Sequence, residues 1–249
     1  SSGGSLCTLN FVFFQDVDGD NLRDPGETLY IGTAAHCVNS NGEATGQRMH
    51  VRNVGAFGTV IYNGWEHGVG SPVAGDPRDV ALIRIDADKE SLVQATLRFW
   101  GGPSAVASTN PGFGQRTLHY GHGLAFGDTE ATRPREGLLV FWSETGNWQA
   151  EHPIIFGDSG SAILTADGKA LGIVTFLSIG FTISGGPSMA RIMSDLAANG
   201  HADKKLYTSV FRPLTDTTPG NRIERLREHC STIPGLLDAN TGCVTFEFE

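Results

Sequence analysis

With 249 residues, 39% of them hydrophobic, the chain is long enough for one or two domains with an ordinary packed core. A formal charge of −9 and the absence of any Lys/Arg stripe exclude nucleic-acid binding through phosphate contacts. The 33 glycines and the many short apolar runs broken by Gly, Pro, Asn and Asp point to a mainly β protein.

The first residues, Ser1-Ser2-Gly3-Gly4-Ser5, have neither the basic start nor the apolar core of a signal peptide, so a targeting segment is expected to be removed or absent. Residues 9–14 and 29–33 read as strands around an acidic turn, Asp16-Val17-Asp18-Gly19-Asp20-Asn21-Leu22-Arg23-Asp24-Pro25-Gly26-Glu27. Acids stand at loop positions 1, 3, 5, 9 and 12, the spacing that wraps oxygen ligands around Ca²⁺. The predicted ligands are Asp16, Asp18, Asp20, Asp24 and Glu27, with the Leu22 carbonyl at position 7. The segment resembles an EF-hand loop with Asn21 in place of the turn glycine, a residue that tolerates the left-handed conformation. Pro25-Gly26 argues against an exiting helix, so the loop is expected as an insertion in a hairpin. The alternative is a solvated acidic turn. Five acids and one arginine leave a local charge of −4, however, and such crowding is repulsive without a counter-ion. The expected cofactor is a structural Ca²⁺, with none for catalysis.

Further strands are predicted at 51–62, 80–85, 138–142, 161–164, 171–177 and 181–183, and a helix at 188–198 stopped by Asn199-Gly200. The most apolar stretch, 170–183, is interrupted by Thr175, Ser178 and Gly180 and is too short and polar to cross a bilayer, so no membrane partner is expected. Residues 200–249 look different. Ile223, Leu226 and Cys230 follow Asn221 at helical spacing, and Val244, Phe246 and Phe248 alternate with polar residues as in a half-buried strand. Four cysteines permit three pairings, and neither CxxC nor a zinc-like spacing occurs, so two disulfides in a secreted protein are expected rather than four cytosolic thiols. His119 and His122 could form a zinc pair or help to bind an acidic substrate, but read better as core or loop histidines, since a metal site wants a third ligand.

Three segments carry the chemistry: Thr33-Ala34-Ala35-His36-Cys37, Asp79-Val80-Ala81-Leu82-Ile83 and Gly157-Asp158-Ser159-Gly160. They place His36, Asp79 and Ser159 at separations of 43 and 80 residues. Over roughly residues 5–198 they resemble the histidine, aspartate and serine motifs of the chymotrypsin-like (trypsin-fold) serine proteases, in that family's chain order. The likeness is to bacterial secreted members lacking the Ile-Val-Gly-Gly N-terminus. The resemblance implies an all-β fold of two six-stranded antiparallel barrels of the chymotrypsin type, with a closing helix and a C-terminal appendage. Barrel one would span about 1–95, barrel two about 96–187 and the helix about 188–198. Together they form a protease domain, 1–199, on which an extension, 200–249, packs against the second barrel.

The implied activity is hydrolysis of peptide bonds through an acyl-enzyme. Ser159 would be the nucleophile, His36 the general base and Asp79 the residue that orients His36, with the Gly157 and Ser159 N–H groups as oxyanion hole. Ester hydrolysis is a lesser variant, and a protease-like binding module is the alternative class. The family's histidine-loop disulfide corresponds to Cys7–Cys37, which leaves Cys230–Cys243. Asp158 must find a partner other than an N-terminal amine. Pro153 stands where trypsin-like enzymes keep an aspartate, and Thr175-Phe176-Leu177 matches the substrate-pairing strand, with Leu177 replacing a pocket-entrance glycine. A preference for small or medium apolar side chains follows. The expected partner is a protein or peptide substrate, and the expected state is a monomer.

Overall fold

The computed structural model describes residues 6–38, 44–68, 73, 75–97, 99–124, 133–178 and 183–211. β1 (Val12–Gln15) and β2 (Leu29–Thr33) pair antiparallel around the acidic loop, with Val12 opposite Ile31. A four-residue helix, α1 (Ala35–Val38), follows β2 at once. β3 (Arg48–Val51) and β4 (Gly55–Asn63) form a hairpin, and β5 (Ala81–Ile85) lies between β4 and β2. The single strand predicted over 51–62 is thus the far side of a hairpin. Asn53 (φ 64°) and Gly55 (φ 82°) take left-handed backbone and reverse the chain, a turn that the apolar run hides.

The second sheet is built from β6 (Arg116–Tyr120), β7 (Pro134–Trp142), β8 (Asn147–Glu151), β9 (Ala162–Thr165), β10 (Ala170–Ile173), β11 (Phe176–Leu177) and β12 (Ile183–Pro187), in the order β10-β9-β6-β7-β8-β12-β11. It has seven strands rather than six because the run 171–177 changes partner midway. Val174 N–H donates to Ser161 O, on the β9 side, and Thr175 N–H to Gly185 O of β12. β6 and β8 contain no continuous apolar run and went unpredicted, although β8 alternates Trp148 and Ala150 with Asn147, Gln149 and Glu151, the period of a half-buried strand.

α2 (Met189–Ala198) is capped by Ser188, whose hydroxyl accepts the Arg191 N–H, and it ends at Asn199 with Gly200 left-handed (φ 86°). Met189, Ile192 and Leu196 form its buried stripe and share a core with Phe13, Leu82 and Ile173. Period-2 alternation sorts the strands between cores. In β1, Val12 and Phe14 enter a core wholly within the first sheet, while Phe13 enters the one between the sheets. A third core within the second sheet centres on Leu139, Trp148 and Ile163.

The chain beyond Asn199 does not begin as an appendage on the second barrel. β13 (Lys204–Leu206) pairs with β1 and completes a six-stranded first sheet, β13-β1-β2-β5-β4-β3. The free edge of β1 needs partners for its N–H and C=O groups, and this strand supplies them. The proposed helix and strand after residue 211, and Cys230–Cys243, lie outside the described residues. No described helix is long and apolar enough to cross a membrane.

Candidate active site

β2 and β5 pair with Thr33 opposite Ala81, so His36, just past one strand, and Asp79, just before the other, emerge on the same rim. Asp79 is only 3% exposed. Its Oδ1 accepts the His36 backbone N–H at 3.0 Å and its Oδ2 lies 2.7 Å from His36 Nδ1. A carboxylate can only accept, so Nδ1 carries the proton and Nε2 is left as a base on a ring 28% exposed to solvent. The Trp65 ring lies beside it, centroids 6.3 Å apart. No spacing or motif marks Trp65 in the sequence.

Ser159 reaches the same rim through the N-terminal segment. Thr8 N–H donates to Ser159 O at 2.8 Å, Thr8 Oγ1 to Gly157 O at 2.8 Å, and Asn10 Nδ2 to Gly160 O at 2.9 Å. Cys7 is bridged to Cys37, the residue after His36, and Cys37 Sγ lies 3.7 Å from Ser159 O. The disulfide expected from the resemblance therefore ties the segment bracing Ser159 to the helix bearing His36. Cys7, His36 and Cys37 cluster tightly, but sulfurs bonded to each other are not thiolate ligands, so this group holds no metal. Thr8 and Asn10 went unnoticed in the sequence, where they are ordinary polar residues.

Gly160 (φ 87°) allows this approach, since an added Cβ would lie 2.4 Å from both Thr33 Oγ1 and Thr8 O. Gly157 (φ 100°) is likewise left-handed. Among the described residues, the Gly157 and Ser159 N–H groups donate to no protein acceptor. The carbonyl of each peptide is held on the opposite side: Phe156 O accepts Leu124 N–H at 2.8 Å, and Asp158 O accepts Ser161 N–H at 2.9 Å and Ser161 Oγ at 2.6 Å. In a planar trans peptide N–H points away from C=O, so each amide is turned away from the group that holds its peptide carbonyl. Free N–H donors beside a serine are the kind of group that can hold a developing oxyanion.

Asp158 is fully buried and finds its partner in Arg135, the residue that sequence reasoning left unidentified. Arg135 Nη1 and Nη2 meet its two oxygens at 2.6 and 2.7 Å, and the Gly123 and Ile155 N–H groups donate to it as well. A bidentate pair with backbone donors satisfies a charge that would otherwise be prohibitive at this depth. Burial, with the Arg135 charge beside it, pushes the neighbouring His152 down to about 3 against weak opposition from the Thr117 backbone. The same two causes hold His119 well below the usual range. His119 is bonded to Ser161 in the interior, a core histidine as its sequence reading has it.

Of the substrate residues expected from the resemblance, Thr175 is buried while Phe176 and Leu177 form β11, which ends the sheet order with no strand outside it among the described residues. Phe176 lies over Gly185, where an added Cβ would meet the ring at 2.5 Å. Pro153 is exposed, and its carbonyl accepts Arg135 Nη1 at 2.7 Å.

In the acidic loop, Asp16, Asp18 and Glu27 bring one carboxylate oxygen each within 4.8 Å of one another. Asn21 is left-handed (φ 61°), and its N–H donates to Asp16 Oδ2. Asp20 is turned onto the Leu22 N–H, and neither it nor Asp24 joins the cluster.

The trypsin-like peptidase domain family matches residues 17–173. Thermobifida fusca protease A is similar in fold, with 20% identity, a TM-score of 0.50, and coverage of 83% of this chain and 94% of that one. Cellulomonas bogoriensis chymotrypsin shares 20% identity, with a TM-score of 0.48 over 82% of this chain and 91% of its own. No curated protein matches the chain by sequence.

Proposed function

The chain belongs to the trypsin-like peptidase family and is a serine endopeptidase; on that premise we propose that Ser159 is its nucleophile, His36 its general base and Asp79 the group that orients His36. Ser159 Oγ attacks the scissile carbonyl, His36 Nε2 takes the hydroxyl proton and returns it to the leaving amine, and water then hydrolyses the acyl-enzyme. Asp79 keeps Nδ1 protonated and stabilises the imidazolium. The Gly157 and Ser159 amides bind the oxyanion, each donor being worth on the order of 10²–10³ in turnover. The observation that carries this reading is the 2.7 Å His36–Asp79 contact on the rim where Thr8, tied to the His36 helix by the adjacent Cys7–Cys37 bridge, holds the Ser159 turn. A fluorophosphonate probe is expected to label the protein, with labelling lost in Ser159→Ala. An unlabelled wild type would instead favour the protease-like binding module.

We also infer a preference for small or medium apolar side chains before the cleaved bond. Pro153 offers no carboxylate for Lys or Arg, and the partly exposed Leu177 narrows the entrance to the cleft. A peptide-library profile dominated by Arg, Lys or Glu would overturn this. Secretion is supported by the Cys7–Cys37 bridge, which persists in oxidising compartments.

The acidic loop is proposed to bind a structural Ca²⁺ through Asp16, Asp18 and Glu27. The converging carboxylates and the left-handed Asn21 at loop position 6 support it. Calcium at 100 times its dissociation constant would stabilise the fold by about 2.7 kcal/mol. The expected result is a melting temperature that rises with calcium in the wild type and not in Asp18→Asn; no response at millimolar calcium refutes the site.

A further inference from the structure

We propose that His119 is a positioning residue for this endopeptidase, acting through Ser161 on the Asp158–Ser159 peptide and so aiming the Ser159 N–H; the inference rests on the assignment of Ser159 made above. His119 Nε2 and Ser161 Oγ are 2.6 Å apart, a separation that would suit a base and its nucleophile. Both side chains are 0% exposed, however, so neither can meet a substrate. Their role has to be exercised through the backbone.

The direction of the hydrogen bonds follows from proton counting. A serine hydroxyl has one proton, and Ser161 Oγ lies 2.6 Å from Asp158 O, which can only accept. The Ser161 proton therefore goes to that carbonyl, and its oxygen must accept from His119 Nε2–H. His119 is held as the neutral tautomer protonated on Nε2, in keeping with its burial beside Arg135. The relay runs from His119 Nε2–H to Ser161 Oγ–H to the Asp158 carbonyl, which the Ser161 N–H also reaches at 2.9 Å. Because the peptide is planar, whatever draws the Asp158 carbonyl inward turns the Ser159 N–H outward. Without His119 the Ser161 hydroxyl loses the donor that fixes its rotation. Without the hydroxyl, Asp158 O keeps a single donor.

The fold keeps the ring in place. In β6, His119 stands opposite Arg135 of β7 and Ile163 of β9, and its carbonyl accepts Trp100 Nε1–H at 3.2 Å. Gly121 leaves the space that ring and carboxylate share: an added Cβ would lie 2.5 Å from His119 Cε1 and 2.2 Å from Asp158 Oδ1. Loss of one hydrogen bond that fixes a transition-state donor is expected to cost about tenfold in rate.

The test measures kcat and KM on the best peptide from a library profile for Ser161→Ala, His119→Phe, His119→Gln and the double variant Ser161→Ala/His119→Phe. Ser161→Ala and His119→Phe are each expected to lower kcat about tenfold with KM within about twofold, the double variant to lose no more than either alone, and His119→Gln, whose amide can donate in place of Nε2–H, to keep most of the rate. Additive losses, a Gln variant as impaired as Phe, or a lower melting temperature at unchanged kcat would overturn the proposal. If His119→Phe does not fold, Ser161→Ala decides, and an unchanged kcat there is likewise fatal. Fluorophosphonate labelling separates the two readings. An unlabelled wild type sinks the assignment of Ser159 itself, whereas a labelled wild type matched by Ser161→Ala sinks only the role of His119.

Discussion

The two sheets hold their parts of the site by different physics. In the first, His36 and Asp79 stand at the ends of laddered strands over an apolar core, and two hydrogen bonds between them complete the arrangement. In the second, Ser159 sits on irregular backbone with two glycines at positive φ and two N–H groups that have no acceptor among the described residues. No ladder can hold such a turn. Buried polar groups do so instead: Arg135 on Asp158, Ser161 on the Asp158 carbonyl, His119 on Ser161. Regular backbone positions side chains by register, whereas the irregular turn around Ser159 is held through its carbonyls and the Asp158 carboxylate.

Substitutions on either side sharpen the contrast. In the first sheet, Asp79→Asn is expected to lower kcat by about 10⁴ with little loss of stability, because it alters the His36 tautomer and removes no packing; a change in KM alone would contradict it. In the second, Arg135→Met strands a carboxylate that is 0% exposed and should destabilise by about 3–5 kcal/mol in urea unfolding, with activity falling alongside. The exposed Arg48–Asp86 pair of the first sheet is the control, and Arg48→Met should cost no more than about 1 kcal/mol. Equal costs at the two sites would erase the distinction. Replacing both Cys7 and Cys37 by Ser opens a link spanning 30 residues, with an expected loss of about 3–4 kcal/mol and looser bracing of the Ser159 turn.

The effect of pH grows with the distance from neutrality. The folded-state pKa of His152, about 3, lies below the ordinary 6.5, so between these values the unfolded chain binds the extra proton. Stability is then full above about pH 6.5 and falls by about 1.4 kcal/mol per unit as the pH drops toward 3. His119 adds a contribution of the same sign. In His152→Phe the slope of stability against pH should be shallower; an unchanged slope would mean that His152 is not held neutral by the fold.

Short-range features of this chain were legible without coordinates. The β2 strand and the Asn199-Gly200 helix stop are written in neighbouring residues, and so are the spacing of the acidic loop and the left-handed Asn21; that Ser188 is the cap of α2 rather than its first residue came from the structure. The His36, Asp79 and Ser159 motifs were legible because each carries its turn or strand end with it. The hairpin at Asn53 was missed because Val54, Ala56 and Phe57 carry the apolar pattern straight on from Val51, and β6 and β8 because they are short and contain no continuous apolar run.

What remained illegible depends on contacts across long stretches of chain. Arg135 and Asp158 are 23 residues apart, His119 and Ser161 42, and Thr8 and Gly157 149. An arginine in a strand or a threonine after a cysteine has no local sign of its partner, since pairing over such distances is decided when two sheets close on shared cores. The sequence by itself determined which groups can do the chemistry, because reactivity belongs to residue type and immediate neighbours. Only the tertiary structure decided what holds them in register, because burial makes an unpaired charge or hydroxyl costly and so selects partners by position in space.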